Sequence, residues 1–213
     1  MLASASKGRR DLLEKSGISH HVMVSGVAEE QFEQPDAQQM VNSLALAKAK
    51  AVASKLMMEE EGNCIYKEIN SVLGCDSVFL FQNEVLGKPK NSSEAIERWK
   101  KMSSNFGFLI TGHALLFDSE PEKTIDIKKF EFNSLIQGAI TTRIEFLDLS
   151  ISEIENYVAT GEPFNCAGGF ALEGKGGRLI SKIDGCYSNV IGLSLPWLRS
   201  ALIRAGLWKE FIV

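Results

Sequence analysis

A carboxylate inside an apolar segment is the first chemical feature of this sequence. Asp76 lies in residues 70–82 (NSVLGCDSVFLFQ), a strand-like run that is apolar on both alternating faces. Such a carboxylate needs a partner, because a buried and unpaired charge is strongly unfavourable. Two interpretations follow. Backbone amides satisfy it at a bend marked by Gly74, or it acts as a base or metal ligand at the mouth of the sheet.

A basic segment near the start of the sequence is the second candidate. Residues 4–10 (SASKGRR) combine small residues, whose amides can approach an anion, with three cations in four positions. A helix that follows would add its dipole to the attraction. The segment is not a Walker A loop, since GxxxxGK[ST] is absent. It predicts either an anion site or a solvated basic turn.

Two lysines stand where the chain could hold an ammonium group in place. Lys48 falls on the apolar face of a predicted helix. Such a lysine usually extends to water, but it could also point into a cleft. Lys88 precedes Pro89, which forces an extended backbone on the residue before it. A lysine fixed in this way suits phosphate contact, whereas the alternative is an exposed loop residue.

The first half of the sequence predicts helices that alternate with strands. A very short strand is expected at the start, then a helix over about 9–15 closed by Gly17, and a strand over 20–24. Residues 36–39 (DAQQ), after Pro35, resemble a capping box and open a helix to about 57. The strand at 70–82 follows, then a turn at 83–84 and a helix to about 102, capped by Ser92 or Ser93.

Longer strands dominate the second half. The pattern predicts strands at 106–117, 124–132 and 139–146, a helix from about 152 to 160, and a glycine-rich stretch at 167–177. A strand near 178–183 and a helix over 197–205 complete it. This order predicts an α/β fold with a mixed twisted sheet and flanking helices.

Composition narrows the class of protein. The chain has 213 residues, of which 45% are hydrophobic and 23% charged, so one domain, or one domain with two lobes, can bury a core. The net charge of −4 argues against a long nucleic-acid groove but allows a small phosphate ligand. We see no secretory signal and no apolar run of about 18 residues. We therefore expect a soluble, cytoplasmic protein without nucleic-acid or membrane partners.

Cysteines and histidines show no ligand pattern. The chain has four cysteines, none at CxxC spacing: Cys64, Cys75, Cys166 and Cys186. In a reducing cytosol we expect free, mostly buried thiols. The three histidines do not combine with them into a metal site, and no GxSxG motif indicates a serine triad.

Several segments, in order, resemble the Maf family of nucleotide pyrophosphatases. Residues 2–9 (LASASKGR) look like its opening SxSxxR motif, 46–49 (LAKA) like its helix lysine, 74–78 (GCDSV) like the strand with its catalytic aspartate, and 87–89 (GKP) like its GKP loop. Residues 111–112 (TG), 166–174 (CAGGFALEG) and 189–193 (NVIGL) resemble its later motifs. The matches span nearly the whole chain, so we treat 1–213 as one domain of this kind.

The resemblance implies two lobes around a deep nucleotide-binding cleft. It also implies hydrolysis of a nucleoside triphosphate, in a house-cleaning role, to a monophosphate and pyrophosphate. A divalent metal of the Mg or Mn class is implied as cofactor, with Asp76 as general base or metal ligand and Glu29 sharing the metal. The phosphate-binding residues carried over by the motifs are Ser4, Ser6, Arg9, Lys48 and Lys88.

Some positions depart from the family pattern. Ala28 stands before Glu29 where the family often has Asp-Glu, so the metal site is thinner unless Glu30 compensates. Three positions bear on the base, and here they are Gly8, Ser77 and Glu173. The subfamily that prefers thymidine and uridine triphosphates has Arg, Thr and Gln there. The subfamily that prefers 7-methyl-GTP shares the glutamate and the CAG at 166–168 but has Trp and Gln at the other two.

The glutamate at position 173 favours one class of base. A carboxylate can accept hydrogen bonds from a guanine edge, whereas the amide of glutamine both donates and accepts. We therefore expect a purine or modified-purine triphosphate as substrate.

Two other functions remain as hypotheses. The chain could be a nucleotide-binding regulator of cell division that acts through protein contacts without physiological turnover, or a thiol or metal protein built on the four cysteines. The set of Asp76, Lys48 and Lys88 favours the enzyme, because a binding protein needs no base. The long strands could also support a homodimer.

Overall fold

The computed structural model of the chain describes residues 1–29, 32, 36–58, 69–119 and 132–208. The helices are α1 (Lys7–Lys15), α2 (Ala37–Met58), α3 (Ser92–Met102), α4 (Ile151–Val158), α5 (Tyr187–Ile191) and α6 (Leu195–Arg204). The strands are β1 (Ser71–Phe81), β2 (Glu84–Leu86), β3 (Phe106–Phe117), β4 (Ser134–Phe146) and β5 (Ile180–Asp184). Short 3-10 turns occupy Glu162–Asn165, Ala167–Gly169 and Lys175–Leu179. The predicted α/β class is confirmed.

Within the described residues, the five strands form one antiparallel sheet in the order β2-β1-β3-β4-β5. Leu80 pairs with Val85 in the hairpin of β1 and β2, and Ile144 pairs with Ile183 between β4 and β5. Parallel pairing within the described residues is confined to isolated bridges, in which Leu2 meets both Val22 and Leu73. The strand expected at 20–24 is thus reduced to a single bridge.

The chain divides into two compact units. Unit 1 comprises Met1–Asp76, Gly112–Ala139 and Leu195–Val213, and unit 2 comprises Ser77–Thr111 and Ile140–Ser194. Asp76 therefore closes the first segment of unit 1, and Ser77 opens unit 2. The deep cleft implied by the resemblance stays a prediction.

In unit 1, two glycines bring α2 directly onto the sheet. A Cβ on Gly74 would overlap the carbonyl oxygen of Ala45, and one on Gly112 would overlap that of Val41. Alanines on α2 allow this approach, since Ala45 and Ala49 are fully buried against β1. Gly74 lies within the strand, so it marks a close helix–strand contact rather than a bend.

In unit 2, an aromatic cluster forms the core. Phe79 and Phe170 meet edge to face with ring centroids 5.2 Å apart, and Trp99 meets Phe146 in the same way at 5.3 Å. The indole nitrogen of Trp99 donates to the carbonyl oxygen of Gly169 over 3.0 Å. The first part of the glycine-rich stretch is thereby fixed to the core.

Helix starts differ from the predictions by one or two residues. The side chain of Asn91 accepts from the amide of Glu94 and caps α3, so the prediction of Ser92 or Ser93 as the cap was wrong. Ser150 caps α4 in a complete capping box, two residues before the expected start.

Two consecutive residues with positive φ, Gln82 and Asn83, form the turn of the hairpin between β1 and β2.

Some predictions fall outside the described residues. These are Pro35 before α2, Glu30, Cys64 and all but the last residue of the strand expected at 124–132. Of the helices that are described, none has the length and apolar character needed to cross a membrane.

Candidate active site

The centre of the candidate site is a lysine shared by two carboxylates, all in unit 1. Lys48 Nζ donates to Asp76 Oδ1 over 2.6 Å and forms an ion pair with Glu29 Oε1 at 2.7 Å. The side chains of Lys48 and Asp76 are 9% and 10% exposed, whereas that of Glu29 is 60% exposed. Lys48 thus does not extend to water, and the buried carboxylate of Asp76 is paired with a cation.

The contact between α2 and β1 makes this pair. Gly74 and Asp76 are two residues apart on β1, so they face the same side of the sheet. Ala45 and Ala49 meet Gly74, and Lys48 lies on the same helix between them. The absence of a side chain at Gly74 therefore brings the backbone of α2 close enough for Lys48 to reach Asp76.

Burial and charge act in opposite directions on Asp76. Burial raises the pKa of its carboxyl group above the ordinary value, more than the neighbouring Lys48 lowers it. The negative charge of Glu29 raises that pKa further. A carboxylate with a raised pKa accepts a proton more readily than an exposed one, which is the property a general base needs.

The serine–arginine segment before and within α1 is tied to the same strand. Arg9 Nη1 donates to Ser4 Oγ over 3.1 Å and to the carbonyl oxygen of Cys75 over 2.9 Å. The amide of Ser6 donates to Ser4 Oγ, and Ser6 Oγ accepts from the amide of Arg9 as the cap of α1. Arg9 is buried, so it connects this loop to the residue that precedes Asp76.

Unit 1 thus brings together most of the predicted residues. Ser4, Arg9, Lys48, Asp76 and Glu29 form one series of contacts through the backbone of β1. The other two predicted residues of unit 1 are joined to it along the chain. Ser6 caps α1, and the half-buried Gly8 lies in the first turn of that helix.

Ser77 belongs to a buried polar network in unit 2. Its hydroxyl lies 2.9 Å from that of Thr111, which donates to the carbonyl oxygen of Asn189 over 3.3 Å. Because the proton of Thr111 is used in that bond, Ser77 is the donor to Thr111. The Asn189 amide in turn donates to Thr142 Oγ1 over 3.1 Å.

Lys88 and Glu173, both exposed, lie in the same part of unit 2. Their common neighbour is the thiol of Cys166. Burial raises the pKa of this thiol to about 11, the charges of Glu173 and Glu162 raise it further, and Lys88 opposes them. Pro89 supports this placement, because a Cβ on Gly169 would lie 3.6 Å from its Cγ.

The carboxylates of Glu29 and Asp76 fit a divalent metal in part. They converge on one cationic group, and oxygen donors of this type suit Mg²⁺ or Mn²⁺. Among the residues that the structure describes, no cluster of three or more histidine, cysteine, aspartate or glutamate side chains could hold a metal. Mg²⁺ commonly takes one or two carboxylates and completes its shell with water and substrate phosphates, and Glu29 and Asp76 are the two carboxylates that could serve in that mode.

The three cysteines that the structure describes offer no comparable arrangement. Cys75, Cys166 and Cys186 are free thiols, and Cys75 is buried beside Asp76 in β1. Cys64 lies outside the described residues.

Three residues near the predicted ones have structural roles that were not assigned from the sequence, although Thr111 lies in one of the motif segments. Thr111 orients Ser77, while Tyr157 and Glu162 contact the loop that carries Glu173. The sequence contained one indication of the role of Glu162. A carboxylate between Gly161 and Pro163, directly after a helix and before a glycine-rich stretch, is well placed to bind exposed backbone amides.

Comparison with known proteins identifies the family to which this chain is similar. Residues 1–205 match the family described as Maf-like protein. A protein of Synechococcus sp. (strain CC9605) named nucleoside triphosphate pyrophosphatase is 51% identical over 202 residues, which are 95% of this chain and 100% of that protein. A protein of Parasynechococcus marenigrum (strain WH8102) with the same name is 49% identical over 202 residues, 95% of this chain and 93% of its own.

Proposed function

Because this chain belongs to the Maf-like protein family, we propose that it hydrolyses a nucleoside triphosphate to the nucleoside monophosphate and pyrophosphate. The observation that carries the proposal is the buried contact of 2.6 Å between Lys48 and Asp76. A buried ion pair is a poor device for stability alone, because desolvation offsets much of the attraction. At an active site, the same pair supplies a base and a cation together.

Asp76 acts as the general base in this proposal. It accepts a proton from a water molecule as the water oxygen attacks phosphorus in line, and the bond between that phosphorus and the oxygen bridging the α- and β-phosphates breaks. The products are the monophosphate and pyrophosphate. Lys48 holds the carboxylate of Asp76 in place and favours its ionised form, against the burial that raises its pKa.

Cations and hydroxyls of the chain bind the phosphates. Lys48 can stabilise charge that develops on the phosphate oxygens, since it is fixed in a water-poor setting. Ser4 and Ser6 offer small side chains and backbone amides before the N-terminus of α1. Arg9 adds positive charge to this loop, and Lys88 is a further cation for the triphosphate.

A divalent metal of the Mg or Mn class is the proposed cofactor. Glu29 and Asp76 would hold it, and it would neutralise phosphate charge and lower the pKa of a bound water. Ala28 contributes no ligand atom from its side chain. The two carboxylates supply the protein's share of the ligands in this proposal.

The residues at three positions select the base, with a purine or modified purine preferred. Glu173 accepts hydrogen bonds from the base edge, Ser77 adds a small hydroxyl group, and Gly8 leaves room beside the first turn of α1. Removal of non-standard nucleotides in the cytoplasm is the corresponding role. It needs no nucleic-acid partner, and a homodimer is compatible with it.

A pyrophosphate-release screen tests the proposed function. Purified protein with Mg²⁺ or Mn²⁺ is offered common and modified triphosphates, and we expect release of pyrophosphate with at least one purine. Asp76→Asn should lower turnover by about 100-fold or more, the usual contribution of a general base. Asp184→Asn removes an exposed carboxylate from β5 and serves as the matched control.

The same screen separates the enzyme from the regulator of cell division. Tight binding of a triphosphate with no release of pyrophosphate, under every metal tested, would favour the regulator. Wild-type release by Asp76→Asn would remove Asp76 from its assigned role while leaving the activity itself in place.

A further inference from the structure

Glu162 binds the loop that carries Glu173 through two backbone amides. Its Oε2 accepts from the amide of Lys175 over 2.8 Å, and its Oε1 accepts from the amide of Gly176 over 2.8 Å. A third donor, the hydroxyl of Tyr157, reaches the same Oε1 over 2.8 Å. One carboxylate thus holds the C-terminal side of this loop.

Tyr157 binds the N-terminal side of the same loop. Its hydroxyl accepts from the amide of Ala171 over 3.3 Å while donating to Glu162. Its ring is buried at the end of α4 and meets Trp99 edge to face, with centroids 5.2 Å apart. The loop over 171–176 is therefore held at both ends by one hydrogen-bonded pair, Tyr157 and Glu162, whose tyrosine is part of the core.

Glycines allow the pair to lie directly against the loop backbone. A Cβ on Gly174 would be 2.6 Å from Cδ of Glu162, and one on Gly176 would be 2.6 Å from the hydroxyl oxygen of Tyr157. Both distances are shorter than real Cβ contacts, so only glycine fits at these two positions without movement. The glycine-rich character of the loop is explained by this contact.

Glu173 lies in the middle of the segment held in this way, and its side chain is exposed. Within the described part of the chain, no hydrogen bond reaches its carboxylate. The direction in which it points therefore depends on the backbone that carries it, and that backbone is fixed by Tyr157 and Glu162.

The charge of Glu162 is suited to this task. Partial burial works against the ionised form, but the hydrogen bonds from Lys175, Gly176 and Tyr157 outweigh it and lower the pKa of the carboxyl group. Glu162 therefore stays anionic at neutral pH and keeps both oxygens as acceptors.

We propose that Tyr157 and Glu162 are positioning residues for base selection, which hold residues 171–176 so that Glu173 meets the nucleobase in one orientation. The inference rests on the proposed function and adds the residues through which its selectivity is maintained. Neither side chain needs to touch the substrate, because the effect passes through the backbone amides of the loop.

A double-mutant cycle between Glu162 and Glu173 tests the proposal. Glu162→Gln keeps the size of the side chain but sets an amide NH₂ against a backbone donor, so one contact is lost. The readout is the ratio of kcat/KM for the best and the poorest base. We expect this ratio to fall about tenfold, on the scale of a lost hydrogen bond to a charged group. Glu155→Gln, an exposed carboxylate on α4, is the control.

The double variant decides whether Glu162 acts through Glu173. If it does, Glu173→Gln with Glu162→Gln should select no worse than Glu173→Gln alone. The inference would be overturned if the decreases in the kcat/KM ratio caused by the two single substitutions multiplied in the double variant. An unchanged ratio in Glu162→Gln would overturn it as well. Wild-type pyrophosphate release together with an unchanged ratio would leave the proposed function standing and remove only this addition to it.

Amide hydrogen exchange gives a readout that does not depend on catalysis. Exchange over 171–176 should be faster in Glu162→Gln and in Tyr157→Phe, but not in Glu173→Gln. Unchanged exchange in the first two variants would show that the pair does not hold the loop. If the wild-type protein hydrolyses no triphosphate, the proposed function fails and faster exchange would mark a purely structural contact, which also overturns base selection.

Discussion

The guanidinium group of Arg9 donates to the carbonyl oxygen of Cys75 over 2.9 Å, and Cys75 is the residue directly before Asp76 in β1. The same nitrogen of Arg9 also reaches Ser4 Oγ. A residue expected to bind phosphate thus also fixes the backbone next to the proposed base. Loop, strand and carboxylate are coupled through one buried cation.

Arg9→Lys should weaken this coupling. An ammonium group cannot reproduce the fork of a guanidinium, so we expect the free energy of unfolding to fall by about 2 kcal/mol. For a chain of this size that lowers the melting temperature by about 4–8 °C. Thermal unfolding measures it, with the exposed neighbour in Arg10→Lys as control. Equal melting temperatures for the two variants would contradict the structural role of Arg9.

Lys48→Met should cost stability in a pH-dependent way. The variant leaves Asp76 buried without its cation, which destabilises a protein by about 3–5 kcal/mol when the carboxylate is ionised. Burial already raises the pKa of Asp76 in the folded state, and loss of Lys48 raises it further. A group whose pKa is raised in the folded state stabilises the protein most at low pH. This stabilisation is lost as the pH rises through the folded-state pKa.

The free energy of unfolding should therefore fall more in Lys48→Met at pH 8 than at pH 5. Urea unfolding at both pH values measures it, and Lys50→Met on the exposed side of α2 is the control. Equal losses at the two pH values would argue that Asp76 does not titrate with a raised pKa.

Gly74→Ala should separate α2 from β1. The new methyl group would overlap the carbonyl oxygen of Ala45 and lie 2.9 Å from the amide nitrogen of Ala49, so backbone must move. Overpacking of this kind costs about 1–3 kcal/mol, and it should also lower turnover by displacing Lys48 from Asp76. Stability and pyrophosphate release are both measured. Gly87→Ala, whose added Cβ would meet no atom within 4 Å beyond its chain neighbours, is the control for stability.

The reactivity of Cys166 should report the charge at Glu173. With a pKa of about 11, only on the order of one in a thousand Cys166 thiols is ionised at pH 8. Glu173→Gln removes a negative neighbour, which lowers this pKa and speeds alkylation at fixed pH. Mass spectrometry of alkylated peptides measures the rate, with Glu155→Gln as control. An unchanged rate would show that Glu173 does not influence Cys166.

The thiol of Cys186 has a lowered pKa, in contrast to that of Cys166, and can be followed in the same experiment. Burial works against its thiolate, but hydrogen bonds involving Ser188 and Ser194 outweigh it and lower its pKa. It should therefore react before Cys166. Full pyrophosphate release after this mild alkylation would also count against a thiol protein built on the cysteines.

Local sequence patterns predicted a helix or strand correctly where the residues of that one element were sufficient to define it. The run around Asp76 that is apolar on both faces predicted β1, and the spacing of apolar residues around Lys48 predicted α2 to within one residue of its end. Caps were less certain, because several small polar residues in a row can each accept the same amides. Asn91 therefore took the role predicted for Ser92 or Ser93.

Contacts between distant segments could not be predicted in the same way. A bend at Gly74 was one interpretation of the sequence, and only the packing of α2 against this glycine shows a close contact between helix and strand in its place. Tyr157 and Glu162 were missed because their partners are backbone amides more than ten residues away, and an amide has no side-chain identity for a sequence pattern to detect.

The sequence by itself determined the α/β class, the place of Asp76 in an apolar strand, the lysines on a helix and a loop, and the ordered motifs of the family. These properties depend on residue type and local spacing. Only the tertiary structure decided that Lys48 joins Asp76 to Glu29, that Arg9 reaches the carbonyl of Cys75, and that Glu162 holds the loop of Glu173. The physical reason is that charges and hydrogen bonds act over a few ångströms, and packing alone sets those distances between residues far apart in the chain.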